Sequence, residues 1–381
     1  MANTVYDTIV IGVGGMGSAA VCALARRGRR VLGLEQFSIP HELGSSAGAT
    51  RIFRFAYFED PCYVPLMRLA LDRWRALERD GGEALITVTG GLDIGPAGGR
   101  VVTGSKEACG RHCLRHEVLA ASAAMRRFPA WRLPVGFEAV YQPEAGFLRA
   151  DRGIAAHVAL ARRLGGEVHE NEPVRACKAS AGGVAVTTER GRYHAGSVVV
   201  AAGAWTSKLL DGFGHLAIPE RQVVAWFPTF AAPFAAAAFP VFILECPQSG
   251  LFYGFPSLPE EGLKIGKFHH RGERVDPDLI DRRVVAADLR VLHDATRYLT
   301  TDLGAPLAHK TCMFVNSPDE HFIIDVLPEA PTVVVAAGFS GHGYKFCAAI
   351  GEILADLASD GATARDIAPF RLARPALRHP R

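Results

Sequence analysis

The sequence predicts an α/β protein in which a parallel-sheet domain is discontinuous and an antiparallel, β-rich domain is inserted into it. Three observations predict it. Near the start, the apolar strand Thr8 to Ile11 runs into Gly12-Val13-Gly14-Gly15-Met16-Gly17; a helix follows from Ser18 to Arg27, then a second strand, Arg30 to Leu34, ending on Glu35. From about Gln222 to Leu263 the pattern changes to strands and turns rich in Phe, Tyr and Pro, a poor match for another βαβ unit. Near the end, Thr332 to Ala337 reads as a buried strand, Gly338-Phe339-Ser340-Gly341-His342-Gly343 as a second glycine-rich loop, and Tyr344 to Ala358 as a helix.

The first unit has a physical job for each part. Gly12 allows the tight turn, Gly14 lets the backbone approach a pyrophosphate, and Gly17 lets helix pack on strand. The helix N-terminus offers free N–H groups to phosphate, and Glu35 can accept from a ribose diol. This is a Rossmann-like dinucleotide site. Between it and the end, Gly44 to Gly48 is a Gly/Ser-rich connection, and Val64 to Arg79 a long helix with Leu66, Leu69, Leu71, Trp74 and Leu77 on its apolar face. Strand-like runs at Leu85 to Val88 and Gly91 to Ile94 precede helical material to about Phe128. Ala156 to Leu164 is amphipathic and leads to the strand Glu167 to His169. Val184 to Thr188, a turn at Glu189-Arg190-Gly191 and the run from Tyr193 form a hairpin feeding a buried strand that ends in Ala202-Gly203-Ala204-Trp205. The expected division is 1–83, 148–221 and 312–381 for the dinucleotide domain, and 84–147 and 222–311 for the substrate domain.

Composition excludes several classes. The chain has 381 residues, a net charge of +3 and no basic run interleaved with aromatics, so nucleic acid is not an expected partner. No apolar stretch is long enough to span a bilayer, and Thr8 to Ile11 lacks a basic leader. The final Arg378-His379-Pro380-Arg381 matches no simple targeting tripeptide, so a cytoplasmic protein is expected. Eight cysteines include no C-x-x-C pair, and Cys109, His112 and Cys113 lack further ligands at zinc spacing, so no metal site and reduced thiols are expected.

A nicotinamide dehydrogenase usually builds its dinucleotide fold from one contiguous segment, whereas here a second glycine loop returns more than 300 residues later. An extended FAD wants such a return. The chain resembles the monomeric sarcosine oxidase and N-methyltryptophan oxidase family of amine-oxidising flavoenzymes. The resemblance runs essentially end to end. It is carried by Gly12 to Gly17 with Glu35, Gly44 to Arg54 (GSSAGATRIFR), Thr188 to Trp205, Tyr253 to Pro256, Gly262 to Gly266, Cys312 to Asp325 (CMFVNSPDEHFIID) and Gly338 to Phe346 (GFSGHGYKF).

The resemblance implies an FAD attached as an 8α-S-cysteinyl thioether at Cys312, whose thiolate would add to the flavin methyl with help from nearby positive charge. It implies further FAD contacts from Gly12, Gly14, Gly15, Met16, Gly17, Glu35, Gln36, Ser45, Ser46, Thr50, Arg51, Val174, Gly203, Trp205, Gly341, His342, Gly343 and Lys345. Backbone N–H groups of Gly341, His342 and Gly343 would face the flavin pyrimidine. Lys264 is similar to the lysine that assists O₂ reduction, and Arg51 is expected to face the flavin ring. Arg54 and Lys345 resemble the pair that binds the substrate carboxylate, a planar fork and a point charge; for Arg54 the alternative is a salt bridge to Glu59 or Asp60. Tyr253 and Phe314 are expected beside the substrate. The partners implied are an amino acid and O₂, with the enzyme a monomer.

Three departures bear on the amine. The family's histidines in the first glycine-serine segment are replaced, and the active-site position is Ala47. The aromatic after the cysteine is Phe314 in place of Tyr. The histidine expected after the lysine falls on Phe268, with His269 reaching the site only by a one-residue shift, although such a shift turns a strand side chain to the other face. The expected activity is oxidation of a secondary amino acid, N-methyl or cyclic, by hydride transfer to flavin N5, with O₂ reduced to H₂O₂. The alternatives are an oxidase or dehydrogenase of a cyclic imino acid of the pipecolate type in secondary metabolism, recognised by the absence of formaldehyde; a non-catalytic flavin-binding protein; and an NAD-dependent dehydrogenase, excluded by a yellow colour.

Overall fold

The computed structural model describes residues 5–180 and 182–378; His379, Pro380 and Arg381 lie outside the described residues. The first strand, Val5–Ile11, sits at the centre of a mixed sheet. It pairs in parallel with Val31–Leu34 on one side and Arg192–Val200 on the other. The C-terminal strand Ala330–Ala337 also runs parallel to Arg192–Val200, Val198 opposite Val333. Three parallel strands therefore end side by side at Ile11, Val200 and Ala337, and each runs into a glycine-bearing loop. Ligands of open α/β sheets bind outside the carboxyl ends of such strands.

Helices Gly15–Arg26, Tyr63–Gly81, Ala150–Arg163 and Cys347–Asp360 cover this sheet. The buried face of Tyr63–Gly81 is Val64, Met67, Ala70, Trp74 and Leu77; Leu66, Leu69 and Leu71, expected on that face, are only half-buried, because the i, i+3, i+7 stripe runs one residue away from them. The helix expected from Ala156 starts at Ala150 and contains Gly153, where a Cβ would come within 2.9 Å of the Trp74 ring. The glycine that weakens the sequence signal is the one that lets Trp74 dock. The helical material expected to about Phe128 is two helices, Arg100–Arg111 and Ala121–Arg127, interrupted by the strand Glu117–Ala120.

The second large sheet runs, edge to edge, through Ala308–Asn316, Ile218–Phe227, Leu263–Lys267, Gly250–Gly254, Val241–Cys246, Gly91–Pro96, Phe137–Gln142 and Glu117–Ala120. It is antiparallel except where Val241–Cys246 meets Gly91–Pro96. The expected divisions at 221/222 and 311/312 fall inside two strands that pair along their length, from Ile218 opposite Asn316 to Trp226 opposite Ala308. Cys312 therefore belongs to the antiparallel sheet. A small sheet of Thr50–Phe53, Gly146–Arg149 and Ile86–Val88 lies apart from the two large ones. Among the described residues no helix is long and apolar enough to cross a membrane.

Candidate active site

Two chambers meet near Arg51. The larger, about 390 Å³, is lined by the loops that end the three parallel strands, with Gly12, Gly14, Gly15, Met16, Glu35, Gln36, Ser45, Ser46, Val174, Gly203, Trp205, Gly341 and Gly343 in its wall. Its phosphate-loop geometry depends on missing side chains. A Cβ on Gly17 would lie 1.8 Å from the Gly12 carbonyl oxygen, and Gly12 itself has φ +85°. Gly17 thus shapes the wall without lining it. Glu35 is buried and accepts from the Val13 amide at 2.8 Å and the Phe37 amide at 3.1 Å. Burial raises its carboxyl pKa against the pull of those amides. The Ser46 hydroxyl accepts from the Gly15 amide at 3.0 Å, tying the Gly44–Gly48 connection to the first glycine loop, and the buried Ser45 hydroxyl has no hydrogen-bond partner among the described residues.

The smaller chamber, about 70 Å³, shares Ala47, Arg51, Phe314, Gly341 and Tyr344 with the first. One face of the antiparallel sheet builds one side of it. Alternate residues point the same way along a strand, and the chamber receives Val224 and Trp226, Lys264, Lys310, Cys312 and Phe314, and Tyr253. The intervening residues Val223, Ala225, Phe227, Leu263 and Ile265 fill the core behind.

Lys264 lies on a central strand, buried, opposite Trp226. Its Nζ donates to the Thr50 hydroxyl at 3.1 Å and the Thr50 carbonyl at 3.3 Å, and sits 4.8 Å from the centre of the Phe255 ring. Burial, with Arg51 nearby, pulls its pKa down to about 7. Thr50 thus serves the lysine in the smaller chamber and lines none of the larger one. Burial pushes the Cys312 thiol up, while Arg51 and Lys264 pull it back towards thiolate. Arg51 donates to the carbonyls of Thr50, Ser45 and Ala47, bracing the loop between the chambers.

Arg54 and Lys345 form the other charged end. Arg54 is buried between the Tyr57 and Phe58 rings, at 4.5 and 4.7 Å, and donates to the Ala56 carbonyl at 2.7 Å. Its Nη2 meets both oxygens of Glu59, at 2.5 and 2.6 Å, so the salt bridge to Glu59 forms while the residue also lines the chamber. Lys345 donates to the His342 carbonyl at 2.8 Å and to the Tyr57 hydroxyl at 3.4 Å. Burial and Arg54 pull its pKa down to about 7. His342 is held neutral, its pKa lowered to about 4 by burial. Its Nε2 lies 3.0 Å from the Glu320 carbonyl, so Nε2 carries the proton and Nδ1, 2.7 Å from the Tyr57 hydroxyl, accepts.

Two expectations need correction. The His342 amide donates to the Phe339 carbonyl at 3.0 Å and is used within its own loop, so the loop offers Gly341 and Gly343 to the larger chamber but not that N–H. His269 lines neither chamber; Phe268 does. The His269 ring lies between Glu220 and Glu320, at 3.2 and 3.0 Å, which raise its pKa to about 9. The reason is the turn: the strand Leu263–Lys267 has ended, and His269 follows in the turn beyond it with φ +55°, which carries its ring to Glu220 and Glu320. Residues the sequence reading missed are Trp226, Phe255 and Tyr344. Tyr344 stood beside Lys345 in the second glycine motif, but Trp226 needed the strand register to reveal it.

The family of FAD dependent oxidoreductases called DAO matches residues 7–357. The chain belongs to that family. It is 42% identical over 371 residues to the monomeric sarcosine oxidase of Streptomyces avermitilis, covering 96% of each chain. It is 36% identical to the N-methyl-L-tryptophan oxidase of Salmonella heidelberg, covering 97% of this chain and 99% of that one. The open form of NikD, an unusual amino acid oxidase essential for nikkomycin biosynthesis, superposes with a TM-score of 0.80 at 30% identity, covering 96% and 97%. This DAO enzyme is thus an FAD-dependent oxidoreductase. Its larger chamber fits that cofactor: a glycine cradle that a Cβ would fill, a buried carboxylate at the end of the second strand, and an unpartnered serine hydroxyl in the wall.

Proposed function

We propose that the enzyme oxidises an amino acid with a free carboxylate and a secondary amine, N-methyl or cyclic, using FAD bound covalently at Cys312 and O₂ as acceptor. One observation carries the reading. The smaller chamber holds two buried cations, Arg54 and Lys345, at one end and a third, Lys264, near Cys312, with aromatic walls between.

Lys345 makes no ion pair among the described residues, and its Tyr57 and His342 contacts aim its remaining proton at a ligand carboxylate. Arg54 adds a second donor, shared with Glu59. The chemistry FAD supplies when bound is acceptance of a hydride from the carbon next to nitrogen and delivery of both electrons to O₂, giving an imine and H₂O₂. Lys264 places a positive charge where negative charge develops as O₂ is reduced. Trp226, Phe255, Phe268 and Phe314 keep water from the reacting carbon. No protein base has to take a carbon-bound proton, which is consistent with Ala47 in the shared wall.

Ala47 and Phe314 make the amine side apolar, and this favours a bulkier or cyclic amine over sarcosine. The test is anaerobic bleaching of the flavin by a panel of N-methyl and cyclic amino acids beside their decarboxylated counterparts. The parent acids should bleach it much faster. Equal rates would remove the carboxylate clamp and with it the substrate class.

A further inference from the structure

Behind Arg54, on the side away from the substrate chamber, lies a separate cavity of about 10 Å³, room for about one water. Arg54, Ile52 and Ile243 line both spaces, so the guanidinium is the partition between them. The rear space also meets Asp93 and Gln142. Asp93 is 5% exposed, on the strand Gly91–Pro96 in the interior of the second sheet. Its Oδ2 accepts from the Ser105 hydroxyl at 2.6 Å, and no cation within 4 Å pairs with it among the described residues. Gln142 accepts from the Phe55 and Ala56 amides at 2.7 and 3.0 Å, and its Nε2 is buried with no partner among the described residues. Gln142 thus pins the segment whose Ala56 carbonyl holds Arg54, and keeps an unused donor.

The geometry points to Asp93 as a positioning residue behind the carboxylate clamp, a second counter-charge for Arg54 that takes up a proton from solvent when a ligand carboxylate binds in front. The inference rests on the clamp proposed above. With Arg54 and Lys345 charged and Glu59 and Asp93 ionised, the buried quartet is neutral. A ligand carboxylate adds one negative charge, and one proton arriving at Asp93 restores the balance. No bond other than that O–H forms.

The surroundings of Asp93 make the exchange accessible. The charged or titratable groups facing it are Arg54, Glu59 and Lys345 from the clamp and the Cys109 thiol from the helix Arg100–Arg111; its neighbouring strands present Gln142 and Ile243. Burial raises its pKa to about 6, opposed by Arg54 and by Ser105. A further negative charge in front of Arg54 moves it higher still.

The test titrates the yellow holoenzyme with methylthioacetate, read by the flavin spectrum, across the pH range. Calorimetry in buffers of different ionisation enthalpy counts the protons taken up. In wild type, affinity should fall as pH rises through about 6 as Asp93 ionises, and fall again near 7 as Lys345 loses its charge. Asp93→Asn should lose the lower limb and take up fewer protons. It should match wild type at about pH 5 and bind about tenfold tighter at about pH 8, the change carried by a one-unit displacement of a pKa. Ser105→Ala removes a donor that favours the ionised carboxylate, so it should move the lower limb to higher pH, which a purely structural serine would not do. A folded, flavin-loaded Asp93→Asn or Ser105→Ala with the wild-type profile and proton count overturns the role of Asp93. Arg54→Ala separates the two readings. If it binds methylthioacetate as tightly as wild type, the clamp itself fails; if it binds weakly while Asp93→Asn changes nothing, only the counter-charge fails.

Discussion

The two chambers are made of different material. The larger is mostly backbone: three loops at the ends of parallel strands, with glycine where a methyl would collide, as at Gly17 against the Gly12 carbonyl. The smaller is mostly side chain, drawn from strands far apart in sequence, and it buries Lys264, Arg54 and Lys345 together. A backbone-made site holds a cofactor through omission, so its tolerance for change is steric. A side-chain-made site works through charges held out of water, so its tolerance is electrostatic. The two lysines are destabilised as cations by their burial, as their lowered pKa records, and that cost is recovered when an anion arrives, whereas Arg54 already has Glu59.

The largest expected effect lies at Cys312, in the wall of the smaller chamber. Cys312→Ala should abolish covalent attachment, and the denatured chain should lose the added flavin mass. A retained adduct would place the link on another residue and leave Cys312 as a wall residue of the smaller chamber alone. Next comes Gly17→Ala, which puts a methyl against the Gly12 carbonyl. It should cost about 3 kcal/mol or more of stability. Thermal melting and flavin content together measure it, and a normal melt with full flavin would show that the backbone wall yields.

In the smaller chamber the effects should be kinetic. Lys264→Met should slow reoxidation of the reduced flavin by O₂ by roughly a hundred- to a thousandfold, the scale for losing one electrostatic stabiliser. Flavin reduction by substrate should change far less. Stopped-flow separates the two, and equal slowing would make Lys264 part of the chamber's architecture alone.

Lys345→Ala should weaken carboxylate ligands by roughly ten- to a hundredfold, since a charge-assisted hydrogen bond is worth about 1.5–3 kcal/mol. Its pKa of about 7 adds a sign. The folded value lies below the ordinary lysine value, so without ligand the folded protein binds fewer protons than the unfolded chain above about 7, and stability rises with pH from there towards about 10. Carboxylate affinity runs the other way, falling as the lysine loses its charge. Lys345→Ala should flatten both slopes.

The smallest effect belongs outside both chambers. The His269 pKa is raised to about 9, so its ion pairs stabilise the fold fully below the unfolded value near 6.5 and stop doing so as pH passes about 9. His269→Asn should lower stability by about 1 kcal/mol or less, because the ring is part-exposed and screened. The deficit should vanish above about pH 10. A collapse of turnover in this variant would return His269 to the amine site.

How far the sequence could be read follows the same division. The first glycine unit was legible because strand, turn, helix and acid lie within one local stretch, and Glu35 indeed sits buried in the larger chamber. Lys264, Cys312, Arg54 and Lys345 were legible through short motifs that resembled a family, and they line one chamber. What could not be read was where a strand begins relative to its neighbour. The division expected at 311/312 cut a strand because the pairing of Cys312 with Gln222 is a long-range fact. Likewise His269 was open as a site residue until the turn after Leu263–Lys267 set its ring between Glu220 and Glu320, which meet it from distant segments.

The sequence by itself determined the parts whose physics is local: the Gly12–Gly17 turn, the second glycine loop before Lys345, and the apolar strand Thr332 to Ala337 that leads into it. The tertiary structure decided which of those parts face each other. It set Arg54 against Glu59 and in one cavity wall with Asp93, Trp226 opposite Lys264, and His269 away from the chamber. The physical reason is that turns and periodicities depend on neighbouring residues along the chain, whereas the environment of a buried charge depends on groups that meet it only after the sheets have formed.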